Sequence, residues 1–263
     1  SGALPLLYLS SVADAMGFAQ AQDLGTRIDQ AIVEVLANQS PEGGFGLWSP
    51  GSGDMWLDAY VTDFLSRARA QGRTVPDLAF RAALANLRNQ VNYYPDFDRG
   101  GEALAYALMV LAREGAASIG DLRYYADVKA DAFATTTAMA QLGAALASYG
   151  DQGRADRMFR MAAERLAPPL PEGVQLYRAD YGTATRDAAA VLTLALEAGS
   201  QAVDTGALAA QLAGRSTQLL STQEATWMLL AANALTTAPG ADGVTIDGAP
   251  VTGPMVRVQQ GAV

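Results

Sequence analysis

The sequence predicts an all-α fold, an α/α toroid of about six helical hairpins followed by a short strand-rich tail. Three observations carry this expectation. Helical segments that are apolar all round alternate with segments that are apolar along one stripe, at a spacing of roughly 35–50 residues, the pattern of a buried inner set covered by an outer set. Loops rich in glycine and aromatic residues lead into the apolar segments, and the best marked, Gly43–Leu65, joins Gly-Gly-Phe-Gly-Leu-Trp directly to an apolar helix. After Pro239 the helical spacing gives way to β-branched runs between Asp-Gly, Gly-Ala-Pro and Gly-Pro turns, which is a strand signal.

Taken in order, Leu4–Met16 places Leu6, Leu7, Leu9, Val12 and Ala13 at helical spacing, with Gly17 as its stop. It is apolar almost all round and is expected to be buried. Thr26–Asn38 carries Ile28, Ile32, Val35 and Leu36 on one stripe and reads as an outer helix. Asp54 is the natural N-cap of Met55–Ala70, whose apolar side is Trp56, Ala59, Tyr60, Phe64 and Leu65. Gly72 ends that helix, and Pro76 opens the outer helix Pro76–Gln90, where a first-turn proline is favourable.

Tyr93–Gly101 repeats the aromatic and glycine loop before the apolar helix Glu102–Arg113. A short polar helix near Ile119–Lys129 is followed by the small, apolar Ala138–Tyr149 and the charged, amphipathic Arg154–Leu166. Pro168–Gly173 breaks the chain, and Leu176–Gly182 is the next aromatic loop, leading to Thr185–Ala198. Val203–Leu212 is a short outer helix. Ser221 and Glu224, three apart, form a capping box that opens the last apolar helix, to Leu235. A closed ring is expected over an open solenoid, which would tolerate more polar inner helices. Each apolar helix but the last has an outer partner, so one outer helix is missing and is expected before Ser1. The toroid is assigned to residues 1–238 and the strand-rich segment, with Val244–Ile246, Val251-Thr252 and Met255–Val258, to residues 239–263.

Composition excludes much chemistry. With Cys 0 and His 0, the chain holds no thiolate nucleophile, disulfide, Ser-His-Asp triad or Cys/His zinc site. Its formal net charge of -9, from Lys+Arg 18 against Asp+Glu 27, repels phosphate backbones and anionic lipid, so nucleic acid is not an expected partner. No apolar run approaches the ~20 residues that cross a bilayer. The chain starts at Ser1-Gly2-Ala3 without Met and reads as a partial or processed form, so a missing leader says little about its compartment.

In a toroid the loops before the inner helices gather at one mouth. Asp54, Asp58, Asp96, Asp98, Glu102, Asp131, Asp180, Asp187 and Glu224 all fall near such helix starts. One reading is a carboxylate pair for glycoside hydrolysis, which needs two acids set apart across a cleft. The other is that first-turn acids cap free N–H groups and complement the helix dipole. Asp180-Tyr181-Gly182 with Arg186-Asp187 is the most suggestive polar cluster, read as a lock between two loops or as a site. Asp96-Phe97-Asp98 superficially resembles the aspartate motif of terpene cyclases, and a zinc prenyltransferase would want ligands the chain lacks. Tyr8, Trp48, Trp56, Tyr93, Tyr94, Phe97 and Tyr181 are candidates for an aromatic mouth, or simply core.

Four motifs in order, Gly43-Gly-Phe-Gly-Leu-Trp48, Trp56-Leu-Asp-Ala-Tyr-Val-Thr-Asp-Phe-Leu65, Asp180-Tyr-Gly with Arg186-Asp187, and Leu220-Ser-Thr-Gln-Glu224, resemble the thioester domain of bacterial α2-macroglobulins, up to about residue 238. The resemblance implies an α/α toroid of the terpenoid-cyclase type within a periplasmic, possibly lipid-anchored, protease inhibitor of bacterial defence that is not itself an enzyme. In that family a protease cuts a bait region, the molecule changes shape, and a hidden Cys–Gln thioester is exposed to a protease lysine. The implied partners are proteases and the other domains of the parent chain, with no cofactor or metal. The tail would start the second part of a CUB-like domain. The positions carried over to the mouth are Trp48, Trp56, Asp58, Tyr60, Asp180, Tyr181, Arg186, Asp187, Gln223 and Glu224. The chain departs from the pattern in lacking the Cys-x-Glu-Gln motif, so no catalytic residue is carried over. A toroid carbohydrate-active enzyme and a non-covalent docking module are the alternatives from other classes.

Overall fold

The computed structural model describes residues 2–15, 23–51, 53–166, 180–214, 220–237, 245–246 and 249–250. The expected stop at Gly17, the break at Pro168–Gly173, the start of the loop at Leu176 and the strand signals at Val251 and Met255–Val258 lie outside these residues. The described helices are α1 (Ala3–Ala15), α2 (Leu24–Ala37), α3 (Met55–Ala70), α4 (Asp77–Asn92), α5 (Glu102–Arg113), α6 (Ile119–Val128), α7 (Thr136–Ser148), α8 (Gln152–Leu166), α9 (Ala184–Glu197), α10 (Thr205–Ala213) and α11 (Thr222–Thr237). Two strands, β1 (Thr245–Ile246) and β2 (Ala249–Pro250), pair antiparallel.

The odd-numbered helices form the inner set. On α5 every side chain from Leu104 to Ala112 is buried, and on α9 every one from Thr185 to Ala195, as a helix enclosed on all sides requires. Outer helices bury a stripe only: Ala155, Met158, Phe159 and Ala162 on α8, and Phe80, Ala83, Leu87 and Val91 on α4. Each inner helix packs on the next, α3 on α5, α5 on α7, α7 on α9 and α9 on α11, and α1 packs on both α3 and α11. The ring is therefore closed, and one continuous apolar core runs round it from Leu4 to Ala231.

Boundaries differ from expectation by a few residues, for capping reasons. Thr135 accepts a hydrogen bond from the Ala138 backbone N–H at 3.1 Å, so α7 starts ahead of Ala138. Pro76 sits at the N-cap of α4 rather than in its first turn. Asp54 caps α3 as expected, accepting from the backbone N–H groups of Trp56 at 2.9 Å and Leu57 at 3.2 Å.

Candidate functional site

Because the inner helices run parallel around the ring, their N-terminal turns share one end. This brings Trp56 and Tyr60 of α3, Tyr106 of α5, Thr137 of α7, Asp187 of α9 and Gln223 of α11 to the same mouth. Trp56, only 9% exposed, is its centre. Its ring stacks on Tyr60 at 5.2 Å and meets the rings of Tyr106 at 6.0 Å and Tyr181 at 5.3 Å edge-on, geometries favoured by the ring quadrupole. Burial pushes the Tyr60 hydroxyl up to about 12, against the opposing effect of its hydrogen bonds with Thr226 and Gln223. Tyr60 thus stays protonated and neutral at physiological pH.

Tyr181 closes the aromatic group from above, 55% exposed. Its φ of 53° is left-handed, a conformation costly for a residue with a Cβ. The neighbouring pair holds it there. Arg186 donates from Nη2 to both the backbone carbonyl and the carboxylate of Asp180, and Asp180 accepts from the Gly182 N–H at 3.2 Å. Asp180 and Arg186 are both buried. Thr137 Oγ1 donates to Asp187 at 2.8 Å, tying α7 to α9. Thr183 donates to Glu224 at 2.7 Å, while Ser221 and Glu224 complete the capping box, with the Ser221 N–H on the carboxylate at 2.7 Å and the Glu224 N–H on Ser221 Oγ at 3.2 Å. The polar cluster at 180–187 is a lock between loops and helices. Among the described residues, buried Thr136 Oγ1 and Gln223 Oε1 have no hydrogen-bond partner, and Arg186 Nε has only its ion pair with Asp187 at 3.4 Å.

Asp58 is enclosed rather than facing the mouth. Its carboxylate accepts from the Phe45 N–H at 2.6 Å, from Asn86 Nδ2 at 2.9 Å and from Gln90 Nε2 at 2.6 Å, binding the glycine-rich loop and α4 to α3. Four of the other expected acids also serve the frame. Asp96 pairs with Lys129 at 2.6 Å and Asp131 with Arg165 at 3.2 Å, and Asp54 and Glu102 sit at helix starts. Among the described residues no group of three or more acids could hold a metal ion.

The seven aromatic candidates, read as a mouth or simply as core, are divided by the structure. Only Trp56 and Tyr181 of that set meet there. Trp48 is 94% exposed and Tyr93 81% exposed. Tyr94 and Phe97 pack with each other, and Phe97 with Tyr125 and Phe133, in a separate group beside α6. Tyr8 belongs to the other end of the barrel, where its hydroxyl accepts from Arg67 at 2.9 Å. Loop aromatics carry no period that tells inward from outward.

Sequence reasoning missed a buried charge network along the axis. Asp63, fully enclosed, accepts from Arg67 Nε at 2.9 Å, from Arg113 and from the Tyr106 hydroxyl at 2.8 Å. Arg67 in turn reaches across the ring to Glu197 of α9, with contacts of 2.8 and 3.1 Å. Burial alone would raise the Asp63 carboxyl, but the two guanidiniums and the phenol overcome it and hold it down at about 2. The signal in the sequence was an acid and a base four apart inside an apolar helix. Such a pair reads equally well as a surface pair.

No family model matches the chain. The chain is 33% identical over 257 residues to α2-macroglobulin of Escherichia coli, covering 91% of this chain and 15% of the relative. It is 28% identical over 188 residues to α2-macroglobulin of Xylella fastidiosa, covering 68% and 11%. Among solved structures, native E. coli α2-macroglobulin from domain MG7 to the C-terminus aligns with TM-score 0.75 and 29% identity, over 90% of this chain and 39% of that one. The E. coli protein activated by porcine elastase aligns with TM-score 0.76 and 31% identity, over 91% and 22%. Salmonella α2-macroglobulin reacted with methylamine aligns with TM-score 0.75 and 30% identity, over 91% and 16%. The chain thus spans about 15% of the length of the E. coli relative.

Proposed function

Since this chain is homologous to a segment of bacterial α2-macroglobulin, we propose that it is the thioester-type toroid of a longer periplasmic protease trap and is not itself an enzyme. One observation carries the reading: the match runs over 91% of the chain, at 31% identity, to a relative whose structure was determined after activation by a protease. A second relative was reacted with methylamine, which is the behaviour of an activated acyl group meeting a primary amine. In that chemistry the amine nitrogen bonds to the acyl carbon, the C–S bond breaks, and the sulfur leaves as a thiol carrying the proton.

The residues present suit the supporting part of that reaction. Trp56, Tyr60, Tyr106 and Tyr181 form an apolar, water-excluding surface at the mouth, and the locks at Asp58 and at Asp180–Arg186 keep it in shape. The sulfur cannot come from this chain, which has Cys 0. Covalent trapping therefore requires a Cys-x-Glu-Gln segment elsewhere in the parent protein, and without one the trap works by enclosure alone. The β1–β2 pair begins the adjoining CUB-like domain in the same reading. The paired-carboxylate alternative is not favoured by Asp180, Asp187 and Glu224, which are engaged by Arg186, by Thr137 and by the Ser221 capping box.

The test is to incubate the full-length parent with elastase or trypsin and assay the protease on a small chromogenic substrate and on a large protein substrate. A trap leaves small-substrate cleavage intact and suppresses cleavage of the large one. Equal cleavage of the large substrate with and without the parent refutes the reading. A protease adduct that survives SDS and is abolished by prior methylamine treatment identifies the covalent form.

A further inference from the structure

Trp48 projects from a loop that is held firmly. The Ser40 N–H donates to the Gly44 carbonyl at 2.8 Å, the Gly46 N–H to Asn38 at 3.0 Å, and the Phe45 N–H to buried Asp58 at 2.6 Å. Gln39 bridges to both Phe45 and Gly51, closing the loop at its base. At Gly46 a Cβ would stand 1.9 Å from the Ser49 carbonyl oxygen, so the chain doubles back tightly there. Leu47 and Trp48 stand at the tip, 65% and 94% exposed. An apolar pair on so constrained a loop has lost most of its ordering entropy already, and tryptophan is a preferred anchor residue of protein interfaces.

The surroundings agree. Leu47 and Trp48 are adjacent, and Trp48 is the most exposed of the large apolar residues described. From Ile28 to Ser66 the sequence has no Lys or Arg, while Glu42 and Asp54 beside the loop are exposed. The loop is an apolar knob in an acidic setting.

We propose that Leu47 and Trp48 seat in an apolar, basic-rimmed pocket on another domain of the longer protein to which this chain belongs. This rests on the chain being a segment of a longer protein, as it spans 15% of its E. coli relative, and is independent of whether that protein traps proteases. A second copy of the same chain is a poor occupant, because two knobs in like acidic surroundings on chains of net charge -9 repel.

Of the three tryptophans, Trp56 and Trp227 are buried, so quenching by acrylamide isolates Trp48. The signal lost on Trp48→Phe is compared between the 263-residue chain and the full-length protein. We expect the Trp48 component to be freely quenched in the chain alone and at least about threefold less so in the full-length protein, as for an anchor desolvated in an interface. Equal quenching in the two overturns the proposal. So does protection of Trp48 in the chain alone that tracks dimerisation by analytical ultracentrifugation, or protection that appears only with lipid vesicles. Loss of protease trapping leaves this comparison unaffected, so the two failures are distinguishable.

Discussion

The residue with the most at stake is Asp63. Its carboxylate is enclosed, and Arg67, Arg113 and Tyr106 all spend a donor on it. Replacing one partner of a buried charge set leaves the others uncompensated. Asp63→Asn is therefore expected to cost about 3–5 kcal/mol at pH 7, measured by urea unfolding. The same group sets an acid limit. Its folded pKa, about 2, lies below its ordinary 3.8, so the stability it contributes is complete above the ordinary value and is lost as the pH falls through about 2. That difference corresponds to roughly 2 kcal/mol. The gap between wild type and Asp63→Asn should narrow by about that amount between pH 5 and pH 2, and a gap that does not change with pH would show that the Asp63 carboxyl has the same pKa folded and unfolded, so that the two guanidiniums do not lower it.

At the scale of elements, the unit formed by the glycine-rich loop and α3 shows what a sequence discloses and what it withholds. The helix, its Asp54 cap and its apolar side were readable because helical period and capping are local. The role of Asp58 was not, since Phe45, Asn86 and Gln90 reach it from other elements, and a first-turn acid looks the same whether it faces solvent or the core. Trp48 was a candidate for the mouth beside Trp56, but its side chain is 94% exposed while that of Trp56 is buried. The bend at Gly46 depends on the loop's backbone. Gly43 has φ 95°, and a Cβ there would stand 2.1 Å from the Ala82 carbonyl oxygen of α4. Gly43→Ala is expected to cost roughly 1–3 kcal/mol or more. Hydrogen exchange should show the loss first at Gly46 and Phe45, whose amides hold the loop. Unchanged protection of those amides would mean that the loop takes its shape without Gly43.

At the scale of the whole molecule, alternation of all-round and one-sided apolar helices was enough to predict the ring, because it reports directly how many sides of each helix are covered. Closure was the harder inference. It depends on α11 meeting α1, a contact between the two ends of the helical array that no local pattern encodes. It also has a consequence that separates a ring from a solenoid. In an open array each unit touches only its neighbours, so removing the last helix frays one end and leaves the rest folded. Here α11 fills the gap between α9 and α1, and it buries Trp227, Leu230 and Ala231. Its removal bares apolar faces on both neighbours. A chain ending at Gly214 is expected to lose its near-ultraviolet dichroism and its cooperative urea transition, whereas an open array would keep a transition of slightly reduced slope. Trp227→Ala tests the same point without truncation. It should lower the stability of the single global transition by about 3–5 kcal/mol, rather than split off a separate early transition confined to α11. Such a split, followed by tryptophan fluorescence and far-ultraviolet dichroism on the same samples, would mean that the ring is closed in form but not in energy.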